Sequence, residues 1–234
     1  MTTLAVRGLE KRYGGIAALD GCSFDIDGPG IYGFIGPNGA GKTTLFDVIA
    51  GATSPDSGEV AVDGRRVRGF APHRLARLGI ARSFQECRVF PEYTCLENLH
   101  FSRLALGARP DMQEAERLLQ LVGLEAYASE PASSLSFGQR RLLEIVGTFL
   151  QRPRVLLLDE PSAGVNPALL EVLTAFILKM YEERPSVFLL IEHNMEFIMG
   201  LAAEIIVLHQ GAVLERGNPQ AIQASPRVIE AYLG

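Results

Sequence analysis

Residues 36–43 read Gly36-Pro37-Asn38-Gly39-Ala40-Gly41-Lys42-Thr43, which fits G-x-x-x-x-G-K-[ST] and is followed by Thr44. Glycines let backbone N–H groups turn inward and surround an anion. Lys42 offers a point charge for the β- and γ-phosphates of a nucleotide, and Thr43 a hydroxyl for Mg2+. Three more polar points follow apolar runs. Gln85 follows residues 80–84, Asp159-Glu160 follows 155–158, and His193 comes just after 187–191. An acid in the position of Asp159 suits Mg2+ and its waters. Glu160, one residue on, suits the deprotonation of an attacking water, an effect worth roughly 10²–10⁴-fold. From the residues alone, three groups stay open. Gln85 is either a polar strand end or a ligand of Mg2+ or water, His193 either structural or a γ-phosphate sensor. Tyr13 is either an ordinary aromatic or a platform for adenine.

The flanking elements suit this chemistry. Ile31-Tyr32-Gly33-Phe34-Ile35 is an apolar run of strand length, and Leu45, Val48 and Ile49 recur with helical spacing after the loop. Strand, glycine loop and helix in that order make the pattern a phosphate site, because a helix start adds unpaired N–H donors and a positive dipole end. Continuous apolar runs at 155–158 and 187–191 predict buried parallel strands. Strands of that kind, each ending in a polar residue, predict an open α/β sheet with its site at the carboxyl edge.

Before the loop, alternation at 4–9 and around Phe24 and Ile26 predicts half-buried strands, with a turn at 11–15 between them. With a further short strand at 59–63 they suggest an antiparallel layer. From about 86 to 150 the pattern is helical. Ala115, Leu118, Leu119 and Val122 form one stripe stopped by Gly123. Ser136 with Gln139 predicts a capping box opening a helix whose apolar face carries Leu142, Leu143, Val146, Phe149 and Leu150. Asn166-Pro167 opens another helix, with Leu170, Leu173 and Ile177 inward. His209-Gln210-Gly211 joins a hairpin.

Composition narrows the class. At 234 residues and 47% hydrophobic content, the chain can build one large domain or a core with one inserted subdomain. A net charge of −5 argues against a dedicated nucleic-acid binder. No run approaches the ~18 apolar residues of a membrane span, and no secretory signal is visible at the N-terminus. Cys22, Cys87 and Cys95 match no metal spacing and read as thiols of a reducing cytoplasm.

Leu135-Ser136-Phe137-Gly138-Gln139, taken with 36–44, Gln85, Asp159-Glu160 and His193 in this order, resembles the ATP-binding subunit of an ABC transporter over nearly the whole chain. The resemblance implies a P-loop NTPase (RecA-like) α/β core with an antiparallel β layer, formed by 1–85 and 151–234, and an inserted α-helical subdomain at 86–150. It implies ATP and Mg2+ as ligands, with the metal held by Thr43, Gln85 and Asp159. Tyr13 becomes the adenine-stacking aromatic, Gln85 the lid glutamine, Glu160 the catalytic base and His193 the switch histidine. Two subunits would pair head to tail, so that Ser136, Phe137, Gly138 and Gln139 meet the ATP held by the partner. That partner is a related ATPase or a second copy. Integral membrane permeases complete the assembly, a solute-binding protein serves it indirectly, and the ATPase sits peripherally on the cytoplasmic face of the inner membrane.

Two departures stand out. The usual glycine at the third signature position is Phe137, a large apolar side chain expected to be exposed near the dimer face. The usual Ser-Ala-Leu-Asp loop reads Ala163-Gly164-Val165-Asn166. Neither removes a phosphate ligand or the base, so hydrolysis is expected. These departures, with Gly79-Ile80-Ala81-Arg82-Ser83-Phe84-Gln85, Leu96-Glu97-Asn98-Leu99, Ile191-Glu192-His193-Asn194-Met195 and the ending 228–234, are similar to the branched-chain amino-acid importer ATPases, with urea importers as close relatives. Residues 86–93 are where that family grips a membrane partner, and Val89, Phe90 and Tyr93 would suit the contact if exposed. A soluble ABC protein acting on DNA or ribosomes fits less well. Only 99 positions separate Gly36 from Leu135, too few for a long coiled coil, and the chain has one cassette.

Overall fold

The computed structural model describes residues 2–67, 69–84, 87–104, 106–109 and 111–233. Gln85, Glu86 and Gly234 lie outside the described residues. The strands are β1 (Leu4–Tyr13), β2 (Ile16–Ile26), β3 (Gly30–Ile35), β4 (Ser57–Val62), β5 (Arg65–Arg66), β6 (Ile80–Arg82), β7 (Val155–Asp159), β8 (Val187–Ile191), β9 (Glu204–His209) and β10 (Ala212–Gly217). The helices are α1 (Lys42–Ile49), α2 (Pro72–Arg77), α3 (Cys95–Leu104), α4 (Met112–Leu121), α5 (Phe137–Leu150), α6 (Pro167–Glu183), α7 (Met195–Leu201), α8 (Pro219–Ala224) and α9 (Pro226–Leu233).

Two sheets form. One is antiparallel, in the order β2-β1-β4-β5. The other runs β10-β9-β3-β8-β7-β6 and is parallel from β9 to β6, with β10 closing it as an antiparallel hairpin strand. The apolar runs explain the central strands. Every residue of β7 and β8 is buried, and period-two alternation sends successive side chains to opposite faces. Leu156, Leu158, Phe188 and Leu190 join the core shared with α3 to α6. Val155, Leu157, Val187, Leu189 and Ile191 join the core shared with α1 and the antiparallel sheet. The helical segment thus packs through a core continuous with one face of the parallel sheet.

Phe34 of β3 ties the second core together. It is fully buried and meets Phe24 of β2 and Phe46 of α1 edge-on, with ring centroids 5.3 and 5.8 Å away. The preferred edge-to-face geometry links the antiparallel layer, the strand before the glycine loop and the helix after it.

Some expectations need correction. Lys11, Arg12 and Tyr13 continue β1, and only Gly14-Gly15 turns. The register shifts along β1 with irregularities, Gly8 having φ of +52° between them, and this hides the long strand from simple alternation. β6 stops at Arg82 instead of running to Phe84. The Ser83 N–H still donates to the Leu157 carbonyl, but the Phe84 N–H turns to the Glu144 carboxylate at 3.1 Å. Helices α2, α7, α8 and α9 add to the elements expected from the sequence; α2 and α8 are opened by a proline, and α7 and α8 by an asparagine cap.

Phe34→Ala is expected to lower unfolding free energy by about 3–5 kcal/mol, the range for emptying a buried aromatic site. Denaturant unfolding of the purified chain measures it, and a loss below about 1 kcal/mol would contradict the packing role assigned to this ring.

Candidate nucleotide site

The loop between β3 and α1 needs its glycines for reasons visible in the backbone. A Cβ on Gly36 would strike the Leu208 carbonyl of β9, and one on Gly41 the Ala18 carbonyl of β2. Both have positive φ, +151° and +100°. The loop is therefore wedged between two sheets. Lys42 folds back over it, its ammonium donating to the carbonyls of Gly36 at 2.7 Å and Pro37 at 3.0 Å. Burial pushes its pKa down, while Glu160 and Asp159 oppose that shift.

Asp159 ends β7 and is 1% exposed. Burial raises its pKa, and the Arg82 guanidinium opposes this from 2.7 Å. Arg82 also pairs with Asp47 of α1, so one buried arginine spans two carboxylates. Thr43, Asp47, Arg82 and Asp159 line a single cavity. A hydroxyl and a carboxylate facing one cavity are the hard oxygen donors that Mg2+ takes, typically alongside phosphates and waters. The donor set fits the ion, and among the described residues no cluster of three or more acidic, histidine or cysteine side chains forms a self-sufficient cage.

Glu160 turns sharply out of β7. Its φ is +47°, a left-handed conformation that costs a residue with a Cβ roughly 1–3 kcal/mol. Its N–H donates to the Ile191 carbonyl of β8 at 2.9 Å, and its carboxylate lies 3.3 Å from His193 Nε2. The parallel sheet thus brings the ends of β7 and β8 together, and with them these two side chains.

Two residues of this region are nearly silent in the sequence. Glu192, 3% exposed, accepts from the Ser162 N–H and hydroxyl at 2.8 Å each and from the N–H groups of His193 at 3.1 Å and Asn194 at 3.3 Å. It staples the segment after β7 to the loop after β8, although burial raises its pKa. Arg141 of α5, 1% exposed, pairs with Glu144 at 2.7 Å and donates to the carbonyls of Asp159 at 2.6 Å, Glu160 at 3.1 Å and Phe84. The only trace of this in the sequence is the Arg–Glu spacing of three on a helix.

The capping box forms as expected: Ser136 Oγ accepts from the Gln139 N–H at 3.3 Å, and Gln139 Oε1 from the Ser136 N–H at 2.9 Å. No hydrogen bond or ion pair joins 136–139 to 36–44, all of which are described residues. Phe137 is 49% exposed, and its ring occupies the place of the missing Gly164 side chain, since a Cβ built there would fall 2.5 Å from the ring. The two departures from the usual family pattern are therefore in contact. Tyr13 ends β1, half-exposed, with the Lys11 ammonium 5.6 Å from its ring centre. Gln85 lies outside the described residues. Val89 is partly buried against the helical core, unlike the exposed side chain expected, whereas Phe90 and Tyr93 are exposed and stack edge-on with each other and with Phe101.

Comparison with known proteins gives the family. The ABC transporter family matches residues 19–163, and a family described as the branched-chain amino acid ATP-binding cassette transporter matches 212–234. The chain is 39% identical to the high-affinity branched-chain amino acid transport ATP-binding protein BraF of Pseudomonas aeruginosa, over 99% of this chain and 97% of that one. It is 37% identical to LivG of Salmonella typhimurium, a protein of the same description, with the same coverage. Among solved structures, a nucleotide-free ATP-binding cassette from an ABC transporter aligns with a TM-score of 0.89 at 28% identity, covering 100% of both chains. A cassette in its ADP conformation aligns with a TM-score of 0.88 at 29% identity, covering 100% of this chain and 99% of that one. The chain belongs to the ATP-binding cassettes of the ABC transporter family.

Proposed function

We propose that this ABC ATPase powers an importer of branched-chain amino acids, binding ATP on residues 36–44 and hydrolysing it with Glu160 as general base. The observation that supports the chemistry best is the convergence of Lys42, Asp159 and the Glu160–His193 pair at the carboxyl ends of β3, β7 and β8. Backbone N–H groups of the glycine loop and the start of α1 hold the phosphates, and Lys42 balances their charge. Thr43 and Asp159, with Gln85 assigned by family position, would hold Mg2+, which would supply positive charge beside the phosphates. Glu160 takes the proton of the attacking water, and His193 orients that carboxylate and senses the γ-phosphate. Tyr13 stacks on adenine.

The absence of any bond between 136–139 and the glycine loop of the same chain fits a signature that serves another subunit. Ser136, Phe137, Gly138 and Gln139 then approach ATP on that subunit, a related ATPase or a second copy. Exposed Phe90 and Tyr93, packed on half-buried Phe101, suit the grip on a permease. Among the described residues no helix is long and apolar enough to cross a membrane, which fits a peripheral subunit on the cytoplasmic face. The cargo assignment rests on the C-terminal family match and the names of the relatives; a solute-binding protein would deliver that cargo.

Lys42→Ala is expected to lower ATP turnover by at least about 100-fold, the scale for losing a transition-state charge partner. Phosphate release measures it, and wild-type turnover would remove this loop from the chemistry. Glu160→Gln is expected to keep ATP affinity while slowing hydrolysis roughly 10²–10⁴-fold. Light scattering should then show a closed ATP-bound dimer accumulating, and unchanged turnover in this variant would dismiss Glu160 as the base.

A further inference from the structure

Two residues one turn apart on α5, Phe137 and Arg141, reach the segment that carries Glu160. At a spacing of four they share one helix face. Phe137 covers Gly164, and Arg141 donates to the carbonyls of Asp159 and Glu160 at 2.6 and 3.1 Å. Glu160 is held in a left-handed conformation, so its carbonyl direction and its side-chain aim are set together. A side-chain contact from the loop after β8, the His193 imidazole at 3.3 Å, fixes the carboxylate end, while Arg141 fixes the backbone end. Phe84, three residues beyond Ala81 of β6, is bound by the same guanidinium.

We propose that Arg141 is a positioning residue for Glu160, and that through it the placement of the signature helix sets the aim of the general base in the same chain. Arginine suits the task because its planar fork donates to several carbonyls at once and keeps its charge when buried. The ion pair with Glu144, 2.7 Å away on the next turn, holds the guanidinium in place. Movement of α5 when a partner's nucleotide meets Ser136 is thereby passed to Glu160 beside this chain's own nucleotide. The two sites of a pair are linked through one helix face. Phe137 and Gly164 form the second point of the clamp: the phenyl ring rests where any other residue would place a Cβ, which accounts for the two sequence departures occurring together.

This proposal rests on Glu160 being the base, and the test separates the two. Arg141→Lys retains the charge facing Glu144 but loses the fork. Gly164→Ala, at an exposed turn with φ of +70°, presses on the same segment through the Phe137 ring. In the full chain assembled with its transport partners, each should lower kcat about tenfold, the scale for a small misplacement of a catalytic group. ATP affinity should stay within about twofold, the signature of a defect confined to the transition state. In a Glu160→Gln background, single-turnover measurements should show no further loss from either change. Wild-type kcat in both single variants, or a multiplicative loss in the double variants, would overturn the positioning role. If Arg141→Lys does not fold, the Gly164→Ala cycle decides alone by the same criteria. Wild-type turnover in Glu160→Gln by itself sinks the base assignment instead, a result distinct from multiplicative loss on top of an already slow Glu160→Gln.

Discussion

Burial of β7 and β8 on both faces is the constraint on which the site depends. Nine apolar side chains, every one in these two five-residue strands except Asp159, go to core, so polar groups find room only where the strands end. Parallel pairing then puts those ends at one edge, Asp159 opposite Ile191 in register. The next residues of each strand, Glu160 and Glu192-His193, are neighbours for that reason alone. The glycine loop joins them because β3 is the next strand in the same parallel sheet.

Placing charge at a buried edge is unfavourable unless it is paired. The molecule answers with arginines and backbone donors rather than solvent. Arg82 spans Asp47 and Asp159, Arg141 spans Glu144 and three carbonyls, and Glu192 takes four donors from two loops. Burial raises the pKa of Asp159, Glu144 and Glu192, and each has donors that favour its charged form. Removing one member of such a network leaves the others desolvated without compensation. The same bonds that make these charges tolerable also fix the backbone around Glu160.

The glycine loop, the strand ends and the capping box were legible in the sequence because each depends on a local pattern: φ freedom at Gly36 and Gly41, an unbroken apolar run, a Ser with Gln three residues on. Arg141 and Glu192 were not. A charged residue on a helix or after a strand is usually solvated, and only the tertiary approach of α5 to β7, or of one loop to another, makes it a hub. Alternation reveals only the first part of β1, because its register shifts break the pattern at Gly8 and beyond. The contact of Phe137 with Gly164 was invisible for a related reason. The two departures were apparent singly, but nothing in their spacing said that one ring fills the space the other residue vacates.

On the proposed function, one chain carries half of a working site, its glycine loop and Glu160 awaiting a signature from another subunit. Turnover per chain, followed while the purified ATPase is diluted from a paired to a monomeric state under light scattering, tests this most directly. Specific activity should fall toward zero as monomer replaces dimer and return when partner subunit is added. Constant specific activity in a monodisperse monomer, abolished by Lys42→Ala, would contradict it.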